Sequence, residues 1–130
     1  MPRFSERSLR HRETLHADLQ LLVDHVIEFY DFAITEGHRS NERQAELWAK
    51  GRTEPGPKVT WVRPGGSRHN STPSDAFDFA PWPIDWLDES RFIELGGAFL
   101  MAAHDLGIDI EWGGHWPGNR RDLPHIQRAL

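Results

Sequence analysis

Apolar residues recur at helical spacing through the first third of the chain. Leu15, Leu19, Leu22, Val23, Val26 and Phe29 follow this spacing, with Asp18, Asp24 and Glu28 between them. The pattern predicts an amphipathic helix, and Ser5 is placed to cap a shorter helix before it. Phe32-Ala33-Ile34-Thr35 reads as a short strand ended by Gly37. A second helix follows, capped by Ser40 or Asn41, with Leu47 and Trp48 on its apolar edge and Gly51 at its end. Residues 52–73 are rich in Gly, Pro, Ser and Arg, which predicts a long irregular region broken by a short strand at 59–62. Segment 74–80 alternates small or acidic residues with Phe77 and Phe79, as a half-buried strand does. A third helix is expected over 90–106, where Phe92, Leu95, Phe99, Ala103 and Leu106 share a face ahead of a C-capping Gly107. Ile108 and Ile110 alternate with acids in a further short strand, and 122–127 is extended because Pro124 bars a helix. Leading helices followed by strands around one long helix predict an α+β domain. About three helices would pack with a small, mainly antiparallel sheet.

Composition narrows the chemistry. The chain has 130 residues, one ordinary domain's length, with 38% hydrophobic and 11% aromatic residues, so it can bury a core despite its polarity. It contains no cysteine and eight histidines. A disulfide scaffold, a thiol nucleophile and a Cys-ligated metal are thereby excluded, and any metal must be held by His, Asp or Glu. The formal charge of -5 is not that of a nucleic-acid binder and offers no net attraction to an anionic surface. No apolar run approaches the ~20 residues of a membrane span, so no membrane insertion is expected. Residues 1–13 are polar throughout, so synthesis in a cytoplasm without a usual export signal is expected.

Two histidines stand apart from the others. His11, His16, His25 and His104 have ordinary helix neighbours and read as structural or solvent-facing, while His38 and His115 flank candidate segments. His69 lies in Ser67-Arg68-His69 inside the long loop, and His125 in Asp122-Leu123-Pro124-His125. Cysteine-free zinc sites take three His, Asp or Glu ligands and leave a fourth position to water. Strand phase selects the acid. Ser74, Ala76 and Asp78 face one way, while Asp75, Phe77 and Phe79 face the other, toward the core. The candidate metal set is therefore His69, Asp78 and His125. Asp122, three residues before His125, is placed to be a general base near that metal; the competing reading is a turn aspartate. Arg39 is a candidate to stabilise an oxyanion or grip a carboxylate; the competing reading is an ion pair with Glu36 or Glu42.

Three separated stretches then resemble one family. Glu36-Gly37-His38-Arg39-Ser40, continued by Gln44, Leu47 and Gly51-Arg52-Thr53, resembles the G-[YFL]-R-[ST]…Q…L…G-[RK]-T stretch of a zinc peptidase family. That family includes D-alanyl-D-alanine carboxypeptidases and dipeptidases, and the L-alanyl-D-glutamate endopeptidases used as phage endolysins. Ser67-Arg68-His69 through Ala76-Phe77-Asp78 resembles its S-x-H-x-x-G-x-A-x-D metal motif. Glu111-Trp112-Gly113-Gly114-His115-Trp116, with Asp122-x-Pro124-His125-x-Gln127, resembles its W-G-G-D-W…D-x-P-H-F-Q ending. The resemblance implies a fold shared with the hedgehog signalling domain and Zn2+ on His69, Asp78 and His125. It also implies Asp122 as acid/base, Arg39 on the scissile carbonyl, and substrate contacts from Ser67, Gln44, His115 and Trp112. The implied partner is the peptidoglycan stem peptide, cut by a monomer that reaches the wall once another protein has permeabilised the membrane. An L-alanyl-D-glutamate endopeptidase is the leading expectation. A D-alanyl-D-alanine carboxypeptidase or dipeptidase and a non-catalytic zinc-stabilised binding module are the alternatives. The chain departs from the motifs in three places. His69 and Asp78 are nine apart rather than seven, with Asn70 to Ser74 looping out; His38 replaces an apolar or aromatic residue; and His115 replaces an acid.

Overall fold

Ser5 accepts a hydrogen bond from the Ser8 backbone and starts α1 (Glu6–Glu13). The chain then breaks at Leu15 and restarts as α2 (Ala17–Val26), where the His16 ring accepts from the Asp18 N–H. Leu15 is buried outside any helix, bridged to Ser74, and Phe29 is 70% exposed past the end of α2. The predicted single periodic face therefore holds only from Leu19 to Val26. β1 (Phe32–Glu36), α3 (Asn41–Ala49), β2 (Ala76–Pro81), α4 (Glu89–Leu106), β3 (Ile110–Trp112) and β4 (His125–Arg128) complete the computed structural model, which describes residues 2–129. Among these, four α-helices accompany a four-stranded sheet of order β1-β2-β4-β3, antiparallel throughout. No helix of the described residues is long and apolar enough to cross a membrane.

The sheet has two unlike faces because side chains alternate along each strand. Ile34, Phe77, Phe79, Trp112 and Ile126 turn toward α2 and α4 and are buried with Leu19, Leu22, Val23, Phe92, Leu95 and Phe99. Aromatic edges meet there: Phe99 packs against Phe32, Phe77 and Phe79 with ring centres 4.9–5.4 Å apart. Gly96 and Gly114 lie so close to the Trp112 indole that neither has room for a Cβ, which lets α4 and the turn after β3 clamp that ring. The opposite face carries polar residues, and the pairing fixes their order. Asp78 stands opposite His125 and Glu36 opposite Asp78, with a bulge before Glu36.

The strand expected at 59–62 does not form. Val59 and Val62 are exposed, and the segment is held by side chains instead of a ladder. Gln44 Nε2 donates to the Val62 carbonyl (2.6 Å), and Arg52 donates to the Thr60 carbonyl (3.2 Å). Of the other strand predictions, 32–35 extends to Glu36, 74–80 becomes Ala76–Pro81, the strand at Ile108 and Ile110 becomes Ile110–Trp112, and 122–127 becomes His125–Arg128. Gly107, at φ 71°, ends α4 in the left-handed conformation that glycine favours.

Candidate metal centre and cleft

β2 and β4 bring Asp78 and His125 face to face, and a 3-10 turn over Arg68–Asn70 delivers His69. Ser67 caps that turn: its Oγ accepts from the His69 N–H, while the Asn70 side chain accepts from the Ser67 N–H. The turn is tied to the loop after β1. Arg39 N–H donates to the His69 carbonyl (2.7 Å), and Asn70 Nδ2 donates to the Arg39 carbonyl (2.8 Å). His69 Nε2, His125 Nδ1 and Asp78 Oδ1 lie 3.2–3.3 Å from one another. These three side chains form a group that could hold a metal ion.

Hydrogen bonds on the far side of each ring show why a cation fits. His69 Nδ1 donates to the Gly37 carbonyl (2.8 Å), so its Nε2 carries a lone pair in the neutral ring. Gln127 Nε2 donates to Glu111 Oε2 (2.8 Å), which turns the amide oxygen toward His125. His125 Nε2 donates to that oxygen (2.8 Å), so His125 Nδ1 also carries a lone pair. Two nitrogen lone pairs and a carboxylate oxygen thus converge with no proton between them. Only a proton or a metal ion relieves that arrangement, and the N, N, O donor set suits zinc and similar transition metals. Without metal, the gap favours a proton on His125. Burial disfavours charge on His125, but the hydrogen bond and charge of Asp78, helped by Asp122 and Gln127, raise its pKa above the usual value. Burial pushes Asp78 up, but the His69 and His125 imidazoles hold it well below the ordinary carboxylate range.

Asp122 and Arg39 line the same cleft, a hollow of about 870 Å³. Asp122 is held from behind: its N–H donates to the Gly113 carbonyl (2.9 Å), and Gly113 touches its backbone where a Cβ would collide. Burial first, then the charge of Asp78, raises the Asp122 pKa against the opposing pull of His125, His69 and Arg39. The ion-pair reading of Arg39 holds with Glu36, through a two-pronged contact at 2.8 and 2.6 Å. Its third committed N–H goes to Gln44 Oε1 (2.8 Å), and Asp78 Oδ2 lies 3.9 Å from Nη2.

Other sequence candidates are placed differently. Ser67 lines the cleft as well as capping the His69 turn. Gln44 is fully buried with both amide ends occupied, so it positions Arg39 and the 60–62 loop rather than meeting a substrate. Trp112 is buried in the core and donates to the Leu123 carbonyl (2.8 Å), and neither it nor the exposed His115 at its edge lines the cleft. Asp75 pairs with Arg128 (2.8 Å), which fixes the register that puts Asp78 into the cluster. Trp116, which the sequence offered only as part of a site-flanking motif, lines the cleft and packs on the His125 ring at 5.0 Å. Gln127 was likewise legible only as part of a motif, although it follows His125 by two residues and so shares its face. Trp61 Nε1 donates to the Asn119 carbonyl (3.1 Å), and both residues line the cleft.

An α+β domain with a buried His-Asp-His group in a cleft, flanked by an oriented guanidinium and a carboxyl of raised pKa, has the makings of a metal-dependent hydrolase. Comparison with known proteins makes the class specific. The chain belongs to the phage L-alanyl-D-glutamate peptidase family, whose model it matches over residues 1–130. It is 31% identical over 133 residues to the L-alanyl-D-glutamate peptidase of Escherichia phage T5, covering 98% of this chain and 90% of that protein. It is 36% identical over 103 residues to the peptidoglycan L-alanyl-D-glutamate endopeptidase CwlK of Bacillus subtilis, covering 75% of this chain and 60% of that protein. The fold matches the crystal structure of the Serratia marcescens L-Ala D-Glu endopeptidase ChiX with a TM-score of 0.76 and 27% identity, covering 97% of this chain and 89% of that one.

Proposed function

We propose that this chain is a zinc-dependent endopeptidase that cuts the L-alanyl-D-glutamate bond of peptidoglycan stem peptides, and that it acts at the cell wall as one catalytic unit. The observation that carries the reading is the convergence of lone pairs from His69, Asp78 and His125 in a cleft shared with Asp122 and Arg39. Zinc held by those three side chains supplies Lewis-acid polarisation of the scissile carbonyl and acidifies water at neutral pH. Asp122 carboxylate takes a proton from the attacking water and returns it to the leaving amine nitrogen. Its raised pKa makes it a stronger base than an exposed aspartate. Arg39 directs its remaining N–H groups to the carbonyl oxygen as charge develops there. Glu36 and Gln44 fix its plane beforehand, so little reorganisation is needed during the reaction.

The test combines zinc content with product analysis on purified peptidoglycan. One zinc per chain and new D-glutamate amino termini are expected. Released D-alanine would transfer the reading to a carboxypeptidase, and stoichiometric zinc without any cleavage would make the chain a binding module. Asp122→Asn is expected to keep its zinc and lose roughly 10²–10⁴-fold in turnover. His69→Ala is expected to lose both.

A further inference from the structure

A second hollow, of about 370 Å³, opens beside the cleft and shares Asn119, Arg121 and Asp122 with it. Its character differs from that of the main cleft. Trp86, Phe92 and Pro124 form an apolar wall, with Trp86 stacked on Phe92 at 5.6 Å and an interplanar angle of 23°. Phe92 belongs to the core, yet Trp86 remains 57% exposed. Glu89 and Arg121, paired at 3.4 Å, and Asn119 set polar groups around that wall. A flat aromatic wall with planar hydrogen-bonding side chains at its edge suits a pyranose ring. The C–H face of the sugar packs on the indole while hydroxyl and acetamido groups reach the rim.

The substrate supplies such a ring at a fixed distance. In peptidoglycan, L-alanine is joined through its amino group to the lactyl ether of N-acetylmuramic acid. One residue, about 3.5 Å of extended chain, therefore separates the scissile bond from the sugar's substituent. Asp122 lines both hollows, so a ring joined to the reacting carbonyl through one residue and the lactyl linker can reach the adjoining hollow that Trp86 lines. The cleft outside the second hollow carries Arg43, Lys58, Arg68 and Arg120, which suits the carboxylates on the D-glutamate side of the scissile bond. The two ends of the groove thus differ in the same sense as the two ends of the substrate.

On the footing of the proposed endopeptidase activity, we infer that the Trp86 hollow is a saccharide subsite that binds the N-acetylmuramyl ring of the chain being cut. The test uses two substrates with the zinc-loaded protein: a disaccharide-tetrapeptide and the same tetrapeptide without sugar. The native protein is expected to show a lower KM for the glycosylated form. Trp86→Ala is expected to raise that KM about three- to ten-fold with kcat unchanged, and to leave the free tetrapeptide's kinetics unchanged. Trp86→Phe is expected to restore most of the preference. Trp82→Ala, at a tryptophan 55% exposed and outside the hollow, is expected to change nothing. In a separate titration, N-acetylmuramyl-L-alanine is expected to shift the Trp86 indole N–H resonance, identified by its absence in Trp86→Phe. Equal loss on both substrates, no preference in the native protein, or an unmoved Trp86 resonance would each overturn the subsite while leaving the endopeptidase reading intact. Cleavage of neither substrate would overturn that reading, and the subsite with it.

Discussion

The amide of Gln127 decides which nitrogen of His125 is free. Glu111 fixes the amide's orientation, the amide oxygen takes the His125 Nε2 proton, and Nδ1 is left facing Asp78 and His69. Partners of this kind orient a ligand ring and raise its basicity, and their removal typically weakens metal binding about 10–100-fold. Gln127→Ala is expected to weaken zinc binding by that factor, measured by competition with a chromophoric chelator, while the fold is retained. Gln127→Glu keeps an acceptor for the ring but loses the donor to Glu111 and sets two carboxylates together, so it is expected to recover only part of the affinity. Unchanged binding in the alanine variant would mean that packing against Trp116, rather than this hydrogen bond, orients His125.

At the level of elements, a glycine positions the candidate base. The 3-10 turn over Gly113–His115 comes directly after β3, and Gly113 has no space for a Cβ against the Asp122 backbone. Gly113→Ala must push the 122–124 turn away and carry Asp122 out of line. A stability loss of about 1–3 kcal/mol is expected, with zinc retained and turnover reduced by at least ten-fold, since small misplacements of a reacting group are costly. Gly97→Ala makes a control. A Cβ there meets nothing within 4 Å inside α4, so a gain of about 0.5–1 kcal/mol in thermal unfolding is expected. The elements that carry the metal group were legible because strand alternation is strict: Phe77 and Phe79 could not both be buried without turning Asp78 outward. Segment 59–62 was not legible, because its Val-Thr-Trp-Val pattern is that of a strand. The carbonyls that would have joined a ladder accept from the Gln44 and Arg52 side chains instead, contacts that no local pattern encodes. For the same reason Gln44 and Trp112 were readable as members of a motif but not as buried supports.

Across the whole molecule, net charge concealed a local reversal. The chain carries -5, yet Arg39, Arg43, Lys58, Arg68, Arg120 and Arg121 line a cleft with Glu36, Asp78 and Asp122 as its acids. Composition averages over the surface and says nothing of how the fold sorts charge. The same clustering ties folding, protons and metal together. In the metal-free protein the His125 pKa is raised above its unfolded value, so protonated His125 contributes stability that is fully present below about pH 6.5 and is lost as pH rises through the folded pKa. Asp122, raised above its unfolded value, adds a loss of the same sign that begins at lower pH. Asp78, held low, contributes stability that disappears only in strong acid, below the range that matters here. Metal binding runs the other way, because the proton on His125 must leave before a cation can take its place. Raising the pH from about 6 to about 8 is therefore expected to lower the melting temperature of the metal-free protein. Over the same range, the gap between zinc-loaded and metal-free protein should widen. Thermal unfolding at fixed free zinc, against a chelated sample at each pH, measures both. A gap that stays constant or narrows would mean that His125 is not where proton and metal compete, and the ligand set would have to be redrawn.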